Sequence, residues 1–279
     1  MNSYEEVSIV IVSYRSKRKI IKFLKKIYKY KKIIVIENSD DLSIGFDINK
    51  IYKNVEVYHT NNIGYGCSAN YARKKINTEY FFLFNPDLEE VDSVLIEYFL
   101  EYGKKLNNQF SCLGPRYKNI NKKTLKQSNI NDEIGSIKAI SGAAMFFNCN
   151  KFDLIGGFDE NFFLYFEETE YCYRAKKKGY FSYQINDTKV RVKGRSVDLK
   201  SENFSNILIW HFIWSKYYYY KSKYGKITSI LIFVPIIIRI ILRLLFYKIL
   251  KDKKNFEKYK FRLNGLISSV LGKKSSLRP

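Results

Sequence analysis

The chain has 279 residues, 46% of them hydrophobic, which is enough for a sizeable core and argues against wholesale disorder. Four scattered cysteines without a CxxC pair, and only two histidines, argue against a disulfide framework or a histidine-built metal site and fit a reducing compartment. Net charge is +22, but residues 1–188 hold 28 Lys+Arg against 23 Asp+Glu, whereas residues 189–279 hold 21 against 4, so the last third points to an anionic partner.

The opening stretch MNSYEEVSIVIVSY has no basic run followed by an apolar one, so no secretory signal is expected. Residues 7–13 (VSIVIVS) are a β-branched apolar run of the kind buried on both faces of a sheet. Residues 16–30 follow, with Ile20, Leu24, Ile27 and Tyr28 at helical spacing. Strands are predicted at 32–37 and 55–60, a helix at 67–76 behind a glycine-containing loop, a strand at 80–85 and a helix over 91–105. Strands alternating with helices imply a parallel sheet with right-handed crossovers. The middle is less regular. Residues 137–148 (IKAISGAAMFFN) read as a strand entered through small residues, and 167–178 as a short helix closed by Gly179.

Residues 204–224 are a long aromatic helix candidate. Residues 227–250 form an apolar run longer than the ~18 residues a membrane span needs. Arg239 and Arg243 would each cost about 2.5–3.5 kcal/mol near a bilayer centre. With Tyr247, Lys248 and Lys251 they fall on one helical face, so the segment is expected to lie in the membrane interface rather than to span it.

In an open parallel sheet, ligands bind beyond the carboxyl ends of the strands. Ser13-Tyr14, Glu37-Asn38 and Asn85-Pro86-Asp87 end three predicted strands and would share one rim. There is no GxxxxGK[ST], and residues 61–66 (NNIGYG) carry GxG without GxGxxG. Phosphate would then be bound by other means, a carboxylate-held divalent metal being the obvious one. Asp87 is the best ligand candidate; its plain alternative is a cap for the helix that follows. Asp159, Glu160, Glu167, Glu168 and Glu170 place five carboxylates within twelve residues, among Phe162, Phe163, Tyr165 and Phe166. Aromatic surroundings can raise a carboxyl pKa, as a general base needs. Equally, acids favour a helix's first turn, and Glu170 with Arg174 makes an ordinary i, i+4 pair. The residues alone leave both readings open.

Over roughly residues 5–225 the chain resembles the family 2 glycosyltransferases of the GT-A fold, especially their rhamnosyltransferase-like branch. The likeness rests on the ordered motifs SIVIVSY, IIVIENSDD, NNIGYGCSAN, FLFNPD, and SGAAMFF followed by IGGFDENFFLYFEETEYCYRAKKKGY. It implies an α/β GT-A catalytic domain over 1–200, a Rossmann-like, mostly parallel sheet flanked by helices. Residues 1–110 would be its donor half and 111–200 its acceptor half. Residues 201–279 would be a helical, basic, membrane-associating extension.

Position by position, the resemblance implies that Ser13 and Tyr14 line the nucleotide base pocket. Glu37, with Asn38 beside it, stands where the family usually has an aspartate holding the nucleoside. Asn62, Gly64 and Asn70 flank the donor. Asn85-Pro86-Asp87 matches the DxD position, so Asp87 would ligate Mn2+ or Mg2+ with Asn85 at the first place. Asp159 and Glu160 match an acceptor-side loop. Glu167-Glu168 matches a Glu-Asp pair whose second member is the catalytic base. The chain departs from the family at Glu37 and Glu168, each one methylene longer than aspartate, and at Thr169-Glu170, where Val-Asp is usual. A family histidine expected near Gly194-Arg195-Ser196 appears as Arg191.

The implied activity is inverting transfer of a sugar, L-rhamnose from dTDP-rhamnose as the best guess, from a nucleotide-diphosphate donor. The acceptor would be a membrane-linked saccharide in surface polysaccharide synthesis. The protein would sit peripherally on the cytoplasmic face of the cell membrane, against its anionic surface. A catalytically inactive scaffold of the same fold and a nucleic-acid binder are the competing classes. The long apolar run and the lack of a recognisable nucleic-acid motif speak against nucleic acid as a partner.

Overall fold

The computed structural model describes residues 3–118, 127–129, 131–193 and 202–279. Gly194, Arg195 and Ser196 lie outside them. The chain divides into two compact units, Met1–Asp159 with Glu168–Asp198, and Glu160–Glu167 with Leu199–Pro279. The second unit thus includes a short stretch from the middle of the chain as well as its last third, where the sequence reading has a single boundary near residue 200.

The first unit opens with α1 (Ser3–Glu6), β1 (Val7–Ser13), α2 (Lys17–Ile27), β2 (Ile33–Glu37), α3 (Ser43–Ile51), β3 (Val55–His59), α4 (Tyr65–Arg73) and β4 (Tyr80–Phe84). These four strands pair in parallel, in the order β3-β2-β1-β4. Every residue of β1, β2 and β4 is buried. Alternate side chains feed two cores, with Ile9, Ile11, Val35 and Phe82 in one and Val10, Val12, Ile36 and Phe81 in the other. A strand covered on both faces has no reason to alternate, which is why these read as unbroken apolar runs. On α2 the buried stripe is Ile20, Phe23, Leu24 and Ile27. Tyr28, expected inside, is 47% exposed; it is the C-cap, just past the last helical residue, Ile27.

The unit continues with β5 (Leu88–Glu89), α5 (Ser93–Lys105), β6 (Phe110–Tyr117), β7 (Ile134–Ile137), β8 (Ala144–Asn148), α6 (Cys149–Ile155), α7 (Glu167–Lys177) and β9 (Phe181–Val192). β8 lies antiparallel between β4 and β6, β9 runs parallel to β6, and β5 and β7 pair antiparallel with β9. The first four strands are all parallel, β6 and β9 form a further parallel pair, and the antiparallel pairings of β8, β5 and β7 make the sheet as a whole mixed. The sequence reading has no strand at β6 or β9. Gly114 and Pro115 interrupt β6, and β9 buries Gln184 and Asn186. Those amides donate to the main-chain oxygens of Pro115, Asn129 and Asp132, so polar residues stand where an apolar pattern would be sought.

The second unit carries α8 (Glu202–Tyr224), α9 (Lys226–Ile249) and α10 (Lys253–Val270), around a core of Ile213, Tyr217, Phe233, Ile240 and Leu266. Asp252 caps α10 by accepting from Asn255 N. Gly265 lets α10 approach α8 closely, because an added Cβ would lie 2.6 Å from Trp210 O. α9 is long and apolar enough to cross a membrane by length and composition. It buries Ser229, Phe233 and Ile240, while Ile227, Leu231, Ile238, Leu242, Leu245 and Ile249 are exposed. The helix is therefore apolar on two sides. Arg239 and Arg243 are exposed, but Tyr247, expected on the same polar face, is half-buried and stacks on Tyr259 at 5.6 Å.

Candidate active site

The carboxyl ends of β1, β2 and β4 meet at one rim. Ser13 pairs in register with Glu37, and Ile11 with Phe84, so Ser13-Tyr14, Glu37-Asn38 and Asn85-Asp87 leave the sheet side by side. β2 and β3 lie on one side of β1 and β4 on the other. A crevice forms at such a switch point because the loops on either side turn away from one another.

Glu37 is fully buried. Its Oε1 accepts the Arg15 backbone N–H at 2.9 Å, while Oε2 and the neighbouring Ser13 Oγ have no hydrogen-bond partner. A buried acceptor left unmade costs about 1–3 kcal/mol, and a ligand N–H would satisfy it. Arg15 takes the left-handed backbone conformation, φ 49°, and its guanidinium pairs with Asp40 at 2.9 Å. An open cleft of about 770 Å³ beside it is lined by Arg15, Lys17, Arg18, Ile21, Asp40, Asp41 and Ile44. Burial is the main cause raising the pKa of the Tyr14 hydroxyl.

Asn38 and Asn70 stand behind this rim. Asn38 accepts from Thr60 Oγ1 at 2.6 Å and donates to Ser68 Oγ at 2.9 Å, which ties the ends of β2 and β3 to α4. The Asn70 amide spans the Phe158 main chain, donating to its O and accepting from its N–H, both at 2.9 Å. A Cβ at Gly157 would lie 2.8 Å from Asn70 Oδ1, so the turn before Asp159 requires glycine. Gly64, with φ 95°, starts α4, and Asn62 is also left-handed at φ 44°. The Tyr65 hydroxyl donates to Gly142 O and joins this loop to the turn before β8.

Asp87 is buried. Lys193 N–H donates to its main-chain oxygen at 2.9 Å, and Leu88 pairs with Val192, so the end of β9 fixes the loop. The capping alternative falls away because Asp92 caps α5, accepting from Leu95 N at 2.9 Å. Asn85 N–H donates to Ala143 O at 2.9 Å. Among the described residues no three His, Cys, Asp or Glu side chains converge as a metal cage. Asp87 with Asn85 alongside is thus a partial oxygen-donor set. It fits a hard cation that takes its remaining ligands from phosphates and water.

Glu168 keeps a half-buried surface, yet the protein crowded round its carboxyl desolvates it. That burial pushes its pKa up to about 7, against a smaller opposing pull from the Glu168 and Thr169 backbone N–H groups. Tyr117, at the end of β6, links it to the rim. Burial raises the pKa of this phenol, and the negative charges of Asp87 and Glu168 both raise it further. The two acids therefore lie within electrostatic reach of one buried hydroxyl. No motif marks Tyr117 in the sequence, since its strand is not legible there.

The other acids part company. Glu170 bonds Arg174 Nε at 2.6 Å, and Arg174 donates onward to Ile155 O and Gly157 O at 2.8 and 2.5 Å. The pair braces α7 against the turn before Asp159. Asp159 is half-buried, Glu160 exposed and Glu167 buried.

No protein-family model matches the chain. It is similar, at 25% identity over 199 residues, to the low-salt glycan biosynthesis hexosyltransferase Agl10 of Haloferax volcanii, over 62% of each chain. It thus spans about three fifths of that relative's length. Among solved structures it is similar to S. aureus TarS 1–349 in complex with UDP-GlcNAc, with TM-score 0.54, 14% identity and coverage of 96% of this chain and 92% of that one. It is also similar to GalNAc-T7 with UDP, GalNAc and Mn2+, with TM-score 0.55, 14% identity and coverage of 78% and 50%. The fold is that of the GT-A glycosyltransferases.

Proposed function

We propose that this protein is a family 2-type glycosyltransferase that takes a sugar from a nucleotide-diphosphate donor. One observation carries the reading: β1, β2 and β4 end at one rim, where the buried residues Ser13, Glu37 and Asp87 end or follow neighbouring strands. The likeness to a hexosyltransferase and to structures holding UDP or UDP-GlcNAc supports the donor class.

Glu37 Oε2 accepts an N–H of the base, with Ser13 and Tyr14 beside it and Asn62 and Gly64 along the donor. Asp87, with Asn85 two residues before it, would hold Mn2+ or Mg2+, and the cation's charge would offset that gathering on the leaving diphosphate. Glu168 takes the proton of the acceptor hydroxyl as that oxygen attacks the anomeric carbon. The bond from that carbon to the diphosphate oxygen breaks in the same step. Its electron pair leaves with the nucleotide, and the configuration inverts. Asp159 faces the acceptor; Asn38 and Asn70 support the rim. The branch resemblance points to L-rhamnose from a dTDP donor. A panel of nucleotide sugars with manganese tests this, with thermal shift and nucleoside-diphosphate release as readouts. dTDP-rhamnose should stabilise most; neither stabilisation nor release by any donor ends the reading.

The exposed apolar side of α9, with Arg239 and Arg243 among it, fits the surface of an anionic bilayer. The seat would be peripheral, on the cytoplasmic face, and the acceptor a membrane-linked saccharide. Burying a leucine-sized side chain in lipid stabilises by about 1.5–3 kcal/mol, and each basic residue near the surface adds about 1 kcal/mol. The triple change Leu231→Ser, Ile238→Ser, Leu242→Ser in the full chain should therefore lower sedimentation with phosphatidylglycerol-containing vesicles at least ten-fold. Unchanged sedimentation would assign the membrane contact to another surface.

A further inference from the structure

Within the first unit, β6 and α7 each bring a thiol to the same point. Cys112 on β6 and Cys172 on α7 are both buried, and their Sγ atoms lie 3.7 Å apart. The elements are tied together around them. The Tyr171 hydroxyl donates to Ser111 O at 3.2 Å, and the Ser111 and Ser182 hydroxyls share a hydrogen bond at 2.7 Å. Cys112 and Ser182 are themselves partners in the pairing of β6 with β9.

The contact has a way in. A cavity of about 90 Å³ has Cys172, Ser182, Lys138 and Lys176 in its lining. A water takes about 30 Å³ in the liquid, so a molecule as small as hydrogen peroxide fits. Lysines beside a thiol favour the thiolate, the form that attacks. The Cys112 thiol bonds to Cys172, and this is the main cause holding Cys172 below its ordinary range, whereas burial pushes Cys112 well above its own. Cys172, on the cavity, is thus suited to attack, and Cys112, behind it, to resolve. Disulfides of a reducing compartment are usually transient and redox-sensing, so such a pair is compatible with the absence of a disulfide framework.

We propose that Cys172 and Cys112 are a peroxide-responsive thiol pair that closes to a reversible disulfide between α7 and β6 and thereby slows sugar transfer. The Cys172 thiolate attacks one oxygen of hydrogen peroxide. A sulfur–oxygen bond forms as the oxygen–oxygen bond breaks, and the departing hydroxide takes up the proton Cys172 had lost and leaves as water. The Cys112 sulfur then attacks the sulfur of the sulfenic acid. The disulfide forms, the sulfur–oxygen bond breaks, and the hydroxide leaves with the Cys112 proton as a second water. Two thiols lose two electrons, and one peroxide becomes two waters.

A sulfur–sulfur bond is about 2 Å long, so closing it draws the facing sides of α7 and β6 together. Glu168 lies four residues before Cys172 on α7, one turn away on the same face, and moves with the helix. The effect on transfer rests on the reading of Glu168 as the base; formation of the bond does not.

The test treats the full-length protein with hydrogen peroxide and maps its peptides by mass spectrometry without reductant. A linked Cys112–Cys172 peptide should accumulate, although Cys67 is the more accessible thiol. Transfer should fall about ten- to hundred-fold, as a misplacement of about 1 Å can cause, and dithiothreitol should restore it. Cys172→Ala, and Cys172→Ser with its closer shape, should unfold cooperatively, transfer as reduced wild type does and ignore peroxide. Cys67→Ser should respond as wild type does. Absence of the linked peptide, a mapped bond with full transfer, or equal inhibition of the Cys172 variants overturns the proposal. No transfer by the reduced protein with any donor ends the transferase reading instead, while the peptide map still reports on the thiols.

Discussion

Glu168→Gln is expected to slow sugar transfer by about 10²–10⁴-fold, the range a positioned general base contributes. The fold should remain intact. Glutamine keeps the size of the side chain and removes the proton acceptor. Because burial raises this carboxyl from 4.5 to about 7, the wild-type rate should climb as pH rises towards 7 and then level off. That limb should be missing from the residual rate of the glutamine protein. Linkage gives an independent check. Between about pH 4.5 and 7 the folded protein holds a proton that the unfolded chain has released, so the wild type loses stability as pH rises through this window. Glutamine cannot ionise, so the variant should be at least as stable as wild type at neutral pH. Full activity in Glu168→Gln would remove this residue from the chemistry.

Asp87→Ala should cost about 10²–10³-fold in kcat/KM, comparable to the loss of one strong electrostatic stabiliser of a developing anion. The substitution should be mild for the fold. Asp92 caps α5, and Lys193 holds Asp87 through the main chain, so neither contact is lost. Titrating manganese into both proteins reads out the role. Stimulation should saturate in wild type and be weak or absent in Asp87→Ala, with weaker binding of nucleoside diphosphate. Equal metal response in the two proteins would move the cation elsewhere.

The parts of the site that were legible in the sequence lie on β1, β2 and β4. Their apolar runs stop at Ser13, Glu37 and Asn85, so the polar residues that follow mark the rim. The resemblance supplied Asp87 and Glu168 as a pair, and their common neighbour Tyr117 emerges only from the sheet. Asn38 and Asn70 illustrate the opposite case. Asn38 ends a strand at the rim and Asn70 matches a donor-side position of the family motif, but their amides hold Ser68, Thr60 and Phe158. An amide's side chain can serve a ligand or the protein equally well, and only its neighbours decide which. Glu170 is intermediate: the i, i+4 spacing gives Arg174, while the two carbonyls that Arg174 also holds come from another turn of the chain.

By itself the sequence determined the parallel half of the sheet, the polar rim and the apolar, basic character of the last third. Each follows from local composition, because residues buried on both faces of a strand must all be apolar and those at its end must meet solvent or ligand. The tertiary structure alone decided the mixed half of the sheet, the second apolar side of α9 and the placement of Glu160–Glu167 in the helical unit. Those depend on pairings between residues far apart in the chain. A polar strand such as β9 is stable only because distant loops satisfy its amides, and the rings of Tyr165 and Phe166 meet Phe212, some fifty residues further along the chain.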